Sequence, residues 1–263
     1  MEDKQKQQQP RRVDLQRFGA ILQQRRPVTR RFSIDANHYA ADVPEMLKLC
    51  YKAEVERRGR TFQDDEATNQ HVAKVAKWLV GGSWKPGLFL YGAPGNGKST
   101  MASAARQLIN MLYGNKYRYE DRKGVYCVSA LELAAVAKED NQQRMQIFKT
   151  TELLHIDDVG TEPASVKVWG NEVSPLVEIL YSRYDRLLYT VITSNLSDED
   201  ILPRYGVRIA DRFREMFDFL SFDNKSYRSQ NGKIQSLYFG HDDRVKPEGI
   251  RTPVQRSRSR PKG

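Results

Sequence analysis

Only two cysteines, Cys50 and Cys127, occur among the 263 residues, too few for a disulfide framework or a cysteine-ligated zinc site. No apolar run approaches bilayer-spanning length, and the opening "MEDKQKQQQP" lacks the apolar stretch of a signal peptide. These absences point to a cytoplasmic protein with no use for a membrane. Acids are missing from residues 251–263, "RTPVQRSRSRPKG", which carry five Lys/Arg. Residues 1–32 carry nine Lys/Arg against three acids, so the two ends account for the net charge of +10 and the middle is close to neutral. Such ends read either as arms that meet nucleic acid or an acidic partner, or as tails that aid solubility. No internal repeat is visible.

What is present is an alternation of helix and strand signals. Leu15, Phe18, Ile21 and Leu22 outline a basic amphipathic helix ending near Arg25 and Arg26. A second helix opens at Asp42, with Glu45 at capping-box spacing, and stops at Gly59. A third carries Val72, Val75, Ala76 and Leu79. Then "GLFLY", "GVYCVS", "ELLHIDDVG", "LLYTVITSN" and "FDFLSF" read as strands, with helices between them. Ser129 with Glu132, and Ser174 followed by Pro175, mark two of the helix starts. Cys127, inside an apolar strand, reads as a core thiol. The pattern predicts an α/β fold with a central parallel sheet flanked by helices.

The chemistry-bearing stretch is "LYGAPGNGKST". Gly92, Ala93, Pro94, Gly95, Asn96, Gly97, Lys98 and Ser99 fit G-x-x-x-x-G-K-[ST], and Thr100 follows. Glycines let backbone N–H groups curl round a triphosphate, Lys98 reaches its outer phosphates, and the Ser99 hydroxyl ligates Mg²⁺. An apolar strand before it and a helix after it complete an anion site, and ATP with Mg²⁺ is the expected ligand pair. Lys98 is expected to be a solvated charge when no nucleotide is bound. "LLHIDD" places two acids at a strand end: Asp157 fits a Mg²⁺ ligand and Asp158 a group that polarises the attacking water. His155 between them and the strand start reads as packed. Asn195, at the tip of "VITSN", reads as a holder of the water or γ-phosphate, or as a cap. On the helix of "RYGVRIADRFREMF", Ile209, Phe213, Met216 and Phe217 form the apolar stripe. Arg208, Asp211, Arg212 and Glu215 share the other face, either as an ion-pair surface or as the carrier of an arginine finger for a neighbouring subunit. Arg228, in "SYR", could approach the nucleotide from the same chain.

Taken in order, "GAPGNGKS", "LLHIDDVG", "VITSN", "RIADR" and "SYR" resemble the bacterial AAA+ ATPases of the DnaC/DnaI helicase-loader and IstB transposition-helper group. The resemblance runs from Phe62 to Arg228. It implies an AAA+ P-loop NTPase fold with Walker A at Gly92–Ser99, Walker B at Asp157 and Asp158, sensor 1 at Asn195, an arginine finger at Arg212 and sensor 2 at Arg228. It also implies a Mg²⁺-dependent ATPase whose sites form between subunits of an ATP-dependent homo-oligomer. Expected partners are a replicative helicase, or a transposase, and single-stranded DNA. Either Arg208 or Arg212 fits the finger. A nucleotide-gated adaptor with little hydrolysis is a further reading. The chain lacks the cysteine cluster of loaders with an N-terminal zinc module, and its first 60 residues match no family motif. The expected organisation is a helical, basic partner-docking region at 1–60, an ATPase domain at 61–240 and a basic, disordered tail at 241–263.

Overall fold

The computed structural model describes residues 14–23, 32–119 and 122–228. Helices α1 (Leu15–Gln23), α2 (Ala36–Tyr39), α3 (Val43–Arg57) and α4 (Glu66–Leu79) precede β1 (Gly87–Gly92) and α5 (Lys98–Tyr113). A minimal hairpin, β2 (Arg118–Tyr119) and β3 (Arg122–Lys123), leads to β4 (Tyr126–Ser129), α6 (Ala130–Lys138), α7 (Gln142–Thr150) and β5 (Leu153–Val159). A second hairpin follows, β6 (Val166–Val168) and β7 (Asn171–Val173), then α8 (Pro175–Asp185) and β8 (Tyr189–Ser194). Helices α9 (Asp198–Tyr205) and α10 (Val207–Met216) run into β9 (Phe217–Phe222). The basic stretch 251–263 and the arginines at 25 and 26 lie outside the described residues.

Five strands form one sheet in the order β4-β5-β8-β1-β9, with every pair parallel. Parallel neighbours need crossover connections, so helices cover both faces. Alternation along β1 shows it: Leu88 and Leu90 join the core under α3, α4 and α5, while Phe89 points into the core under α6, α7, α8 and α10. This is an α/β fold with a central parallel sheet flanked by helices, as the sequence pattern predicts, with the glycine-rich turn leaving a strand inside the sheet.

Helix α3 belongs to that packing. Val43, Leu47, Cys50 and Tyr51 are buried in the same cluster as Leu88 and Met101, against α4 and α5. Helix α1 does not: it buries no residue, and Leu15 is 76% and Phe18 53% exposed. Asp14 caps it, its carboxylate accepting from the Gln16 and Arg17 amides at 3.1 Å. Cys127 departs from the expected core position. It alternates with Tyr126 and Val128 on the outermost strand, so it faces the opposite side and is exposed. Enough is packed round it that desolvation still raises its thiol pKa.

One buried cation ties the sheet to its helices. Arg183 on α8 is 0% exposed and has no carboxylate among its hydrogen-bond partners. It donates instead to the Thr190 hydroxyl (2.9 Å) and to the carbonyls of Phe148 (2.9 Å), Thr151 (2.8 Å) and Tyr189 (2.6 Å). Burial pulls its pKa down to about 9. Four acceptors at the end of α7 and the start of β8 are thus satisfied by one side chain.

The described residues up to Ser226 form one compact unit, and Tyr227 opens a second. Among the described residues no helix is long and apolar enough to cross a membrane.

Candidate active site

The turn after β1 is built as the glycines require. Gly92 has φ +137°, and a Cβ there would sit 2.3 Å from the Phe222 carbonyl oxygen. Gly97, at φ +102°, takes the left-handed conformation that opens α5. Asn96 is buried at 1% exposure; its amide donates to the Phe222 carbonyl, and the Asn224 amide donates to the Asn96 carbonyl at 3.1 Å. The loop therefore leans on the end of β9.

Lys98 corrects the expectation of a solvated charge. It is 5% exposed, and the three protons of its ammonium are shared among four oxygens, the carbonyls of Gly92 (2.7 Å) and Ala93 (2.9 Å), Asn96 Oδ1 (3.2 Å) and Asn195 Oδ1 (3.0 Å). A buried ammonium must be solvated by protein oxygens when no phosphate is there to do it. The contact also brings the tip of β8 to the P-loop, 97 residues away in sequence.

The two acids sit at the tip of β5, next to β8 in the sheet. Pairing is regular up to Ile156 and resumes at Val159, so Asp157 and Asp158 occupy a bulge. Asp158 has φ +56°, a left-handed conformation that costs a non-glycine residue about 1–3 kcal/mol. One hydroxyl holds the bulge: Thr193 donates to Asp157 Oδ1 and accepts from the Asp158 amide at 2.9 Å. Asp157 is half-buried and Asp158 exposed. His155, buried behind them, has its pKa driven down to about 4 by desolvation, so it is neutral near pH 7. Its Nε2 lies 3.7 Å from Asp157 Oδ1, and its Nδ1 lies 3.4 Å from Cys127 Sγ. It packs, as expected.

The loop after the acids is locked to the segment after Asn195. Buried Glu162 accepts from the Gly160 amide at 2.7 Å and from the Tyr205 hydroxyl, and Arg204 donates to the Glu162 carbonyl. Burial, then the Glu162 carboxylate, pushes the Tyr205 phenol well up. On the neighbouring strand, Ser194 donates to the Val159 carbonyl at 2.6 Å.

Arg212 lies on the outward face of α10, as the periodicity requires, with Ile209, Phe213, Met216 and Phe217 buried behind it. Its guanidinium carbon sits 4.3 Å from the Tyr181 ring centre and 5.1 Å from that of Tyr184, and 3.7 Å separates its Nη1 from Asp185 Oδ1. It is thus apart from the cluster at the strand tips. The Arg208 side chain is outside the described residues. Arg228 belongs to the second unit, in which only Tyr227 and Arg228 are described.

Hydroxyl and carboxylate oxygens at Ser99 and Asp157 suit Mg²⁺, which takes one or two carboxylates and completes its shell with phosphates and water. No cluster of three His, Cys, Asp or Glu side chains exists among the described residues, so an all-protein metal cage is not what the site offers. Sequence reading missed Thr193, Glu162 and Tyr205. The hydroxyl two residues before Asn195 was the available signal for Thr193; nothing local marked the other two.

No family model matches the chain, and no curated protein matches it. Solved structures similar to it include DnaI (TM-score 0.48, 19% identity, covering 66% of this chain and 93% of that one). The DnaC helicase loader is similar at TM-score 0.47 and 22% identity, over 61% of this chain and 92% of that one. The replication initiator DnaA bound to AMPPCP and single-stranded DNA is similar at 0.48 and 20%, over 70% of this chain and 55% of that one.

Proposed function

We propose that this chain is an ATP-dependent replication factor that loads or remodels a replicative helicase on single-stranded DNA, working as an ATP-dependent homo-oligomer. The observation that supports the nucleotide half of the proposal is the convergence of three strand tips: the β1 P-loop, the Asp157–Asp158 bulge of β5 and Asn195 of β8, joined through Lys98 and Thr193. Gly92–Thr100 would cradle the triphosphate, and Ser99 and Asp157 would hold Mg²⁺. That ion would neutralise phosphate charge. Lys98 would exchange its carbonyl partners for the outer phosphates, releasing Asn195 to hold the water or the γ-phosphate. Asp158 would polarise the water. Arg212 would act on the site of a neighbouring subunit, and Arg228 on the site of its own chain.

Asp158→Asn should leave ATP affinity within about twofold of the parent while lowering turnover by roughly 10²-fold or more, the range for removing a group that handles the water's proton. Isothermal titration beside steady-state turnover checks this. Equal turnover in the variant would assign Asp158 to the strand bend alone.

The partner half of the proposal rests on α1. Its apolar stripe is exposed among the described residues, and an isolated nine-residue helix is marginal in water. A partner groove with apolar walls and acidic edges would stabilise it. Leu15→Asp with Phe18→Asp should leave melting temperature and basal turnover unchanged and abolish ATP-dependent capture of the host's replicative helicase. Undiminished capture would remove α1 from the interface, and capture of a transposase in place of the helicase would overturn the loader reading.

A further inference from the structure

Consecutive residues at the tip of β8 each bond to a different neighbour. Thr193 meets the two acids, Ser194 donates to the Val159 carbonyl at 2.6 Å, and Asn195 accepts from Lys98 at 3.0 Å. Thr193 alone stands opposite both acids, because the register pairs Ile156 with Ile192 and Val159 with Ser194. Its side chain shares a face of the sheet with Asp157. Leu153 and Val191, an even number of residues before them, both belong to the core under α5.

A hydroxyl has one proton and two lone pairs. The Asp158 amide can only donate, so it takes a lone pair of Thr193 Oγ1 and leaves the proton for Asp157 Oδ1. The direction of both bonds is therefore fixed by chemistry. On its other side, Oδ1 faces His155 Nε2 at 3.7 Å, a buried nitrogen with no hydrogen-bond partner. Asp157 Oδ2 makes no hydrogen bond among the described residues, and the side chain is 32% exposed, so an ion from solvent can reach it.

We infer that Thr193 is the positioning residue for Asp157, fixing Oδ1 so that Oδ2 is the oxygen offered to Mg²⁺, an inference that rests on the nucleotide reading above. Mg²⁺ demands near-ideal octahedral geometry and takes few carboxylates, so a ligand already fixed in rotation holds it better than one free to turn. The same hydroxyl holds the Asp158 amide in its left-handed bend. One side chain from another strand thus sets both the metal ligand and the group that polarises the water. Thr193 also pairs with Leu90 of β1, which keeps the acids in register with the P-loop.

Thr193→Val keeps the volume and the β-branch and removes the hydroxyl. Mn²⁺ followed by electron paramagnetic resonance, with the full chain and a non-hydrolysable ATP analogue, reads the metal site without turnover. Thr193→Val should need about 10–100-fold more Mn²⁺ for half-saturation, the range for losing a partner of a metal-ligating group. The Mg²⁺ concentration for half-maximal turnover should rise in step, while ATP affinity in EDTA should match the parent. Thr193→Ser, which keeps the hydroxyl, should recover most of the metal affinity. Ser194→Ala removes a neighbouring hydroxyl that touches only backbone, and should leave metal affinity unchanged.

An unchanged Mn²⁺ requirement in Thr193→Val, an equal rise in Ser194→Ala, or no recovery in Thr193→Ser would overturn the inference. So would an equal loss of ATP in EDTA, or a parent that binds ATP but no Mn²⁺. If Thr193→Val does not fold, Thr193→Cys, whose thiol is a weak donor and acceptor, takes its place under the same criteria. A parent that binds neither ATP nor Mn²⁺ brings down the nucleotide reading itself. A parent that binds both, beside a Thr193→Val that matches it, brings down only Thr193.

Discussion

Turnover should return when two inactive variants, Arg212→Ala and Lys98→Met, are mixed. Alone, Arg212→Ala should bind ATP as the parent does and turn it over roughly 10³-fold more slowly, the lower end of what an arginine finger contributes. Lys98→Met should fail at binding; the methionine keeps the buried stem, since Lys98→Ala would also leave a cavity beside the loop. Each variant retains what the other lacks, so a hybrid interface contains one intact pocket and one intact finger. Arg212 is well placed for this because its own chain holds it weakly. The stacking on Tyr181 and Tyr184 and the 3.7 Å pair with Asp185 are surface interactions, each worth up to about 1 kcal/mol. A developing phosphate charge in a partner's pocket would outcompete them. If, as proposed, association completes the site, specific activity of the parent should also rise with protein concentration. Full turnover by Arg212→Ala, or activity independent of concentration, would make Arg212 a surface ion-pair residue.

The second large effect concerns the buried arginine of α8. Arg183→Met fits the volume of the buried stem but leaves the Phe148, Thr151 and Tyr189 carbonyls and the Thr190 hydroxyl without their donor. Removing one side of a buried ionic hydrogen-bond network costs about 3–5 kcal/mol. In a chain of this size each kcal/mol moves the melting temperature by about 2–4 °C. A fall of roughly 10 °C is therefore expected, measurable by thermal or urea unfolding. A change under 1 kcal/mol would mean that α7 and β8 find other donors.

Local signals sufficed for most of the scaffold because its elements obey local rules. The strand "GLFLY" alternates correctly for a two-faced sheet, Ser129 caps α6 by accepting from the Glu132 amide, and the stripe Ile209, Phe213 and Met216 is buried as its spacing demands. The P-loop and the two acids were legible for the same reason: each motif is contiguous. What escaped was set by distant contacts or by unusual turn chemistry. Arg183 looked like any surface arginine at the end of a helix, and only tertiary packing buries it. The β6–β7 hairpin turns on Trp169 (φ +50°) and Gly170 (φ +84°), where positive φ at both positions is normally announced by Asn-Gly or Asp-Gly. A tryptophan there gave no warning. Arg58 meets the Thr100 hydroxyl (2.8 Å) through the docking of α3, which no spacing encodes.

The strand order also fixes when the nucleotide loop can mature during synthesis. Strand β1 is made before its partners: among the described residues its sheet neighbours are Tyr189–Ser194 and Phe217–Phe222, made about a hundred residues later and beyond. Until both emerge, the strand that carries the P-loop has at least one open edge, and until β9 is made the Phe222 carbonyl that steadies Asn96 does not exist. Long-range parallel pairing of this kind is slow and exposes aggregation-prone strands. Nascent chains that stop before Phe222 therefore keep an open strand edge, and the loop after β1 gains its last support only when β9, the final strand among the described residues, has been inserted.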